Sequence, residues 1–222
     1  MKTKSKISPA AIVAIIAITF ISFANFFHLT IGDNIGFAGI SIIIGIVAFF
    51  VVKMIEKQPF EGSGFDIRAI PKNLKDKKNW FWILSPILWG AITLPIELVF
   101  LPGAKEHILA RAASLITYDT TLMTVIMLFV LALGEEIAMR SFLQNQLNRI
   151  MSVASAIIIT SILFTVSHYA AGKVLYVSFD LISVFTLSVL YGIVFTKTKN
   201  GWICGLAHFL SNLFALIVYG II

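Results

Sequence analysis

The sequence predicts an all-α fold, a polytopic transmembrane helical bundle of about seven spans, and three observations carry that class. Of the 222 residues 59% are apolar and only 13% charged, against about 45–50% and 25% in soluble domains. Mean hydropathy is +0.95. The apolar residues gather in runs of roughly 20, the length that crosses a bilayer as a helix. A water-soluble globule of this size has no core large enough to hide so much apolar surface. The same numbers exclude a disordered chain.

The runs can be taken in order. The first, 9–29, follows Lys2, Lys4 and Lys6. It is longer than the apolar core of a secretory leader and no convincing small-residue cleavage site follows, so it reads as a retained span. Runs 34–55 and 80–101 come next, with Trp80 and Trp82 suited to a membrane interface. Pro95 beside Glu97 marks a place where the third helix could break and line a cavity. Runs 121–143, 152–170, 174–196 and 202–221 complete the set. None shows the alternation of a barrel strand. The longest connection, 56–79, is too short for a soluble domain, so residues 1–222 read as a single membrane domain.

Basic residues orient the bundle. With the N-terminus inside, thirteen Lys and Arg fall on cytoplasmic segments and three (Lys105, Arg111 and Lys173) on outer ones, the positive-inside pattern. The expectation is a multi-pass cell-membrane protein, N-in and C-out. The net charge of +6 is then topology, with the lipid bilayer as partner and no nucleic acid. One cysteine, Cys204, leaves no intramolecular disulfide framework and reads as a packing residue.

Ionisable groups inside hydrocarbon are costly and are functional candidates by default. The fourth run holds Gly134-Glu135-Glu136-Ile137-Ala138-Met139-Arg140. On a helix Glu136 and Arg140 are i,i+4 neighbours and can pair. Glu135 is rotated about 100° away and keeps its carboxylate for other work. The fifth run supplies Phe164-x-x-x-His168 and the seventh His208-x-x-x-Asn212. Helix rise puts Glu135 and His168 at similar height, about 5 Å apart. His208 joins them if the hairpin between the fourth and fifth spans protrudes into the cytoplasm, for which Gln144, Asn145, Gln146, Asn148 and Arg149 supply a polar run. Asp180 is expected near the outer interface and hydrated, and His28 and His107 near the outer surface.

A free carboxylate with imidazoles can hold and deprotonate water, and a His–Asn pair can donate to a developing oxyanion. That is equipment for hydrolysing an amide with water as nucleophile, since no Ser or Cys sits in a recognisable elbow. Glu135, His168 and His208 could equally ligate zinc with an open position, although the helix signature H-E-x-x-H is absent.

These three ordered motifs resemble those of the CPBP family (CAAX protease and bacteriocin-processing, also called Abi), intramembrane proteases related to the type II CAAX prenyl endopeptidases. The resemblance covers about residues 120–220. It implies that Glu135 and His168 bind and activate the attacking water. His208 and Asn212 would form an oxyanion hole, with Glu136 and Arg140 supporting the site and Phe164 packing in it or lining the substrate cavity. It implies an intramembrane endopeptidase acting on peptide or membrane-protein substrates reached from the cytoplasmic side. The resemblance leaves both a metalloprotease and a metal-free glutamate mechanism open; the expectation is no cofactor, with zinc on Glu135, His168 and His208 as the alternative. Two other readings stay open: a non-catalytic scaffold or bacteriocin-immunity protein, and a small proton-coupled transporter using Glu97, Glu135 and His168 as a relay.

Overall fold

A computed structural model of the chain describes residues 7–27, 37–57, 59, 63–112 and 120–221. The described residues are helical wherever they are regular, with no strand among them. Helices α1 (Pro9–Phe26) and α2 (Phe37–Ile55) pack against each other. A 3-10 turn, Ile67–Ala69, leads into the short α3 (Ile70–Lys75) and then α4 (Lys77–Phe100). Next come α5 (Ala104–Ala112) and α6 (Thr121–Leu147). The last three are α7 (Val153–Ser167), α8 (Val174–Thr198) and α9 (Gly201–Val218). Four of these, α4, α6, α8 and α9, are long and apolar enough to cross a membrane. Pro9–Ala24, Gly39–Ile55 and Val153–Ser167 are shorter apolar helices.

The boundaries have local causes. Thr120 accepts from Met123 N at 3.4 Å and starts α6; Ser152 accepts from Ser155 N at 3.1 Å and starts α7. Asn200 Oδ1 accepts from Trp202 N and Ile203 N at 2.9 and 3.2 Å. Such caps satisfy amides that have no partner in the first helical turn. Lys199, left-handed at φ 52°, turns the chain tightly from α8 into α9.

Helix α6 is the centre of the bundle. It packs on α9, and its second half packs on α2 and α7. That second half is a π-helix, Ile137–Gln144, all of whose residues are buried. Wider turns of this kind are rare and gather at functional sites. One apolar core joins α1, α2, α7 and the π segment through Phe49, Met139, Phe142 and Phe164; a second joins α4, α8 and α9 through Ile83, Tyr191, Phe195 and Ile203. Gly45 on α2 lets the backbones meet, because a Cβ there would lie 2.4 Å from Ala138 Cβ and 2.9 Å from its Cα.

Two sequence expectations change. Pro86 and Pro95 lie inside a continuous α4, and Glu97 is buried, with both carboxylate oxygens within 2.8 Å of the Tyr219 hydroxyl. Asp180 is not hydrated but 2% exposed, because Arg111 reaches it from α5. The polar run after Phe142 reaches beyond the α8–α9 turn, as the meeting of His208 with Glu135 required, and its side chains there are paired. Gln144 is buried on Gly192 O at 3.0 Å, Asn145 donates to Ser63 O at 3.2 Å, and Arg149 pairs with Glu56 at 2.7 Å. Neighbouring backbone oxygens and a carboxylate take the place of water there. His28 and Lys2, Lys4 and Lys6 lie outside the described residues.

Candidate active site

The two adjacent glutamates have opposite environments. Glu136 is fully buried and accepts from three side chains: Arg140 Nε at 3.1 Å, Cys204 Sγ at 3.0 Å and His208 Nδ1 at 2.9 Å. Arg140, also fully buried, donates Nη2 to Ser188 Oγ at 2.8 Å and lies 5.6 Å over the Phe164 ring. A buried charge needs this degree of pairing. Glu135, one residue earlier, carries no such load. Its nearest charged partner is His208 Nε2, 3.6 Å from Oε2, and its carboxylate faces a cavity.

That cavity, of about 190 Å³, is lined by Glu135, Phe164, His168, His208 and Asn212 together. Three elements deliver them: Glu135 from the last α-helical turn of α6, Phe164 and His168 from the last turn and C-cap of α7, and His208 and Asn212 from successive turns of α9. From α8, Tyr191 stacks on the His208 ring at 4.4 Å between centroids. Phe164 is buried against His168, at 4.2 Å, and meets His208 edge-on at 6.1 Å.

The hydrogen bonds also set which nitrogens are available. His168 Nδ1 lies 2.8 Å from Phe164 O, a carbonyl that can only accept. The proton therefore sits on Nδ1, and Nε2 presents a lone pair. His208 gives Nδ1–H to Glu136, which turns Nε2 towards Glu135 and the cavity. The site thus offers one unencumbered carboxylate, one basic imidazole nitrogen, one imidazole aimed by a buried acid, and an amide from Asn212. Among the described residues no three His, Cys, Asp or Glu side chains are grouped closely enough to hold a metal ion.

Every residue that the motifs nominated lies in or directly behind this cavity. Others escaped the sequence reading. Cys204 lies one turn before His208 and supports Glu136, a position its i,i+4 spacing could have suggested. Ser188 and Tyr191 on α8 had no signal beyond being small and aromatic residues in an apolar run. Arg111 lines the cavity too, where the charge count had placed it in an outer loop.

The cavity has a direction. Its walls are the first half of α6 (Thr124 to Glu135), the second half of α9 (His208 to Leu216) and Ile108 to Ala112 of α5. The opposite end is closed by the segment 63–66. There Gly64 O accepts from Gly201 N at 2.6 Å and Ser141 Oγ at 2.9 Å, and Asp66 O accepts from Asn200 Nδ2 at 2.6 Å. The cavity therefore runs towards the end that carries α5, away from the basic 56–79 segment.

Comparison with known proteins bears on the same half of the chain. No curated protein and no solved structure matches the sequence. Residues 117–214 match the family model described as type II CAAX prenyl endopeptidase Rce1-like, a segment that contains every motif residue from Glu135 to Asn212. The family is one of CAAX-protease-type intramembrane endopeptidases, and the four long apolar helices agree with a membrane protein. Over residues 117–214, a little under half of its length, the chain is thus similar to the type II CAAX prenyl endopeptidase Rce1-like family.

Proposed function

We propose that the protein is an intramembrane endopeptidase that hydrolyses peptide bonds of peptide or membrane-protein substrates with an activated water. The observation that carries this reading is the division of labour between Glu135 and Glu136. One carboxylate is saturated by Arg140, Cys204 and His208; the other is left to the cavity that His168, His208 and Asn212 also line.

Water held between Glu135 and His168 Nε2 loses its proton to this pair as it attacks the scissile carbonyl. Asn212 donates its amide to the developing oxyanion, and His208 donates Nε2–H beside it. Because Nδ1–H is committed to Glu136, this second role requires the imidazolium form, flanked by two carboxylates that balance its charge. Glu136 and Arg140 aim His208, and Phe164 packs the two imidazoles. Collapse of the tetrahedral intermediate returns a proton to the leaving amine from the Glu135–His168 pair.

The positive-inside count supports seven spans in the cell membrane, N-in and C-out. In that orientation the α5 end, and with it substrate entry, lies on the outer side. A proton relay through Glu97, Glu135 and His168 is less well supported: Glu97 is engaged by Tyr219 and is not among the residues that line the cavity. The deciding experiment is peptidomics of cells expressing the wild type or Glu135→Gln. Peptides that appear only with the wild type support the proteolytic reading; identical peptidomes from two equally inserted proteins refute it. Activity of the purified protein that survives a strong chelator supports the metal-free route, and its loss on chelation with recovery on zinc addition refutes it.

A further inference from the structure

We propose that Arg111 anchors a carboxylate of the peptide in this cavity, a specificity that rests on the proteolytic reading above and names the substrate class: peptides with an anionic group near the scissile bond. Arg111 belongs to none of the three motifs and reaches the cavity from α5. Among the lining side chains it is the sole Lys or Arg, and Glu135 the sole Asp or Glu. Between them the wall is apolar, with Leu128, Leu131 and Ala132 on α6.

Asp180 on α8, 2% exposed, orients the guanidinium. Its two oxygens accept from Arg111 Nε at 2.9 Å and Nη2 at 3.0 Å. His107 Nε2, one turn earlier on α5, stands 3.7 Å from the same carboxylate. This fork uses two of the five guanidinium N–H groups and fixes the plane of the rest. Arg111 Nη1 makes no hydrogen bond among the described residues and keeps accessible surface, and the residue lines the cavity. An arginine held on one edge by a buried acid, with its other edge free beside an apolar cavity, is built to take a second carboxylate. Since Asp180 offsets the charge, discrimination rests on paired donors, which a carboxylate matches better than an amide.

Two sources supply such a carboxylate, the C-terminus of the peptide and an Asp or Glu side chain, and the test separates them. The purified full chain in lipid nanodiscs is offered a pool of apolar decapeptides in three forms: free C-terminal acid, C-terminal amide, and C-terminal amide with one internal Asp. Cleavage is followed by mass spectrometry. The anchor predicts that at least one anionic form is cleaved about tenfold faster than the plain amide, mainly through KM, the scale of one charge-assisted hydrogen bond. Which anionic form is faster identifies the source. Arg111→Gln is expected to erase the difference between forms, and Arg111→Lys, which keeps the ion pair to Asp180, to retain part of it. Equal cleavage of all three forms by the wild type overturns the anchor and leaves the protease standing. So does a preference that survives Arg111→Gln, or a loss shared equally by all forms, which marks Arg111 as a clasp for α5. If the wild type cleaves none of them, the proteolytic reading falls and the anchor with it.

Discussion

At the scale of single residues, Glu135 and Glu136 are chemically identical neighbours that the fold has made into different things. Glu136 is a buried anion whose three donors must stay in place. Removing one partner of a buried ion pair leaves the other uncompensated, at a cost of about 3–5 kcal/mol. Glu136→Gln is therefore expected to lower the thermal stability of the purified protein markedly. Glu135→Gln removes no side-chain hydrogen bond among the described residues and is expected to leave the melting temperature unchanged while cutting cleavage by about 10²–10⁴-fold, the range of a general base. Measuring melting and turnover on both variants checks the assignment; a destabilised Glu135→Gln with a stable Glu136→Gln would reverse it. The pairing of Glu136 with Arg140 was legible from i,i+4 spacing alone. Its bonds to Cys204 and His208 were not, because both partners come from α9, some seventy residues away in sequence.

At the scale of elements, the π segment Ile137–Gln144 does what a plain α-helix could not easily do. It follows directly on Glu135 and Glu136, so the helix widens just beyond the site. There the wider turn packs Ala138 onto Gly45 of α2 and sets Gln144 on α8. No side chain larger than hydrogen fits at position 45 without moving the Ala138 backbone. Overpacking of this kind costs about 1–3 kcal/mol. Gly45→Ala is thus expected to destabilise the protein by that amount and to depress cleavage along with it, read by thermal unfolding and kcat. A Gly45→Ala protein of wild-type stability would show that α2 and the π segment do not meet as closely as described. The helices themselves were expected from hydropathy, and each of the seven apolar runs contains one. The π geometry was invisible, since it arises from packing on three sides and not from a local residue preference.

The whole molecule raises the question of sidedness. The count of basic residues orients the N-terminus inwards, while the cavity opens towards α5 and the 63–66 segment closes the other end. Single cysteines at two exposed positions decide between faces, because the native Cys204 is buried and should stay unlabelled in the folded protein. In intact cells an impermeant maleimide is expected to label Lys173→Cys and to spare Lys77→Cys. The opposite pattern would reverse the bundle and turn the cavity to the cytoplasm. Either way, the end that carries α5 holds Arg111 on the cavity wall, with Asp180 and His107 beside it.

Composition and periodicity by themselves determined that this chain is helical and made for a bilayer, because apolar runs about 20 residues long with few charges have no other stable home. Spacing nominated the motif residues for the same local reason: neighbours at i,i+4 share a helix face whatever surrounds them. The tertiary structure decided which of two glutamates is free, which nitrogen of each histidine is presented, that Arg111 belongs to the cavity, and at which end the cavity lies. Those properties depend on contacts between helices far apart in sequence, where burial and hydrogen-bond partners are set by packing and not by any run of residues.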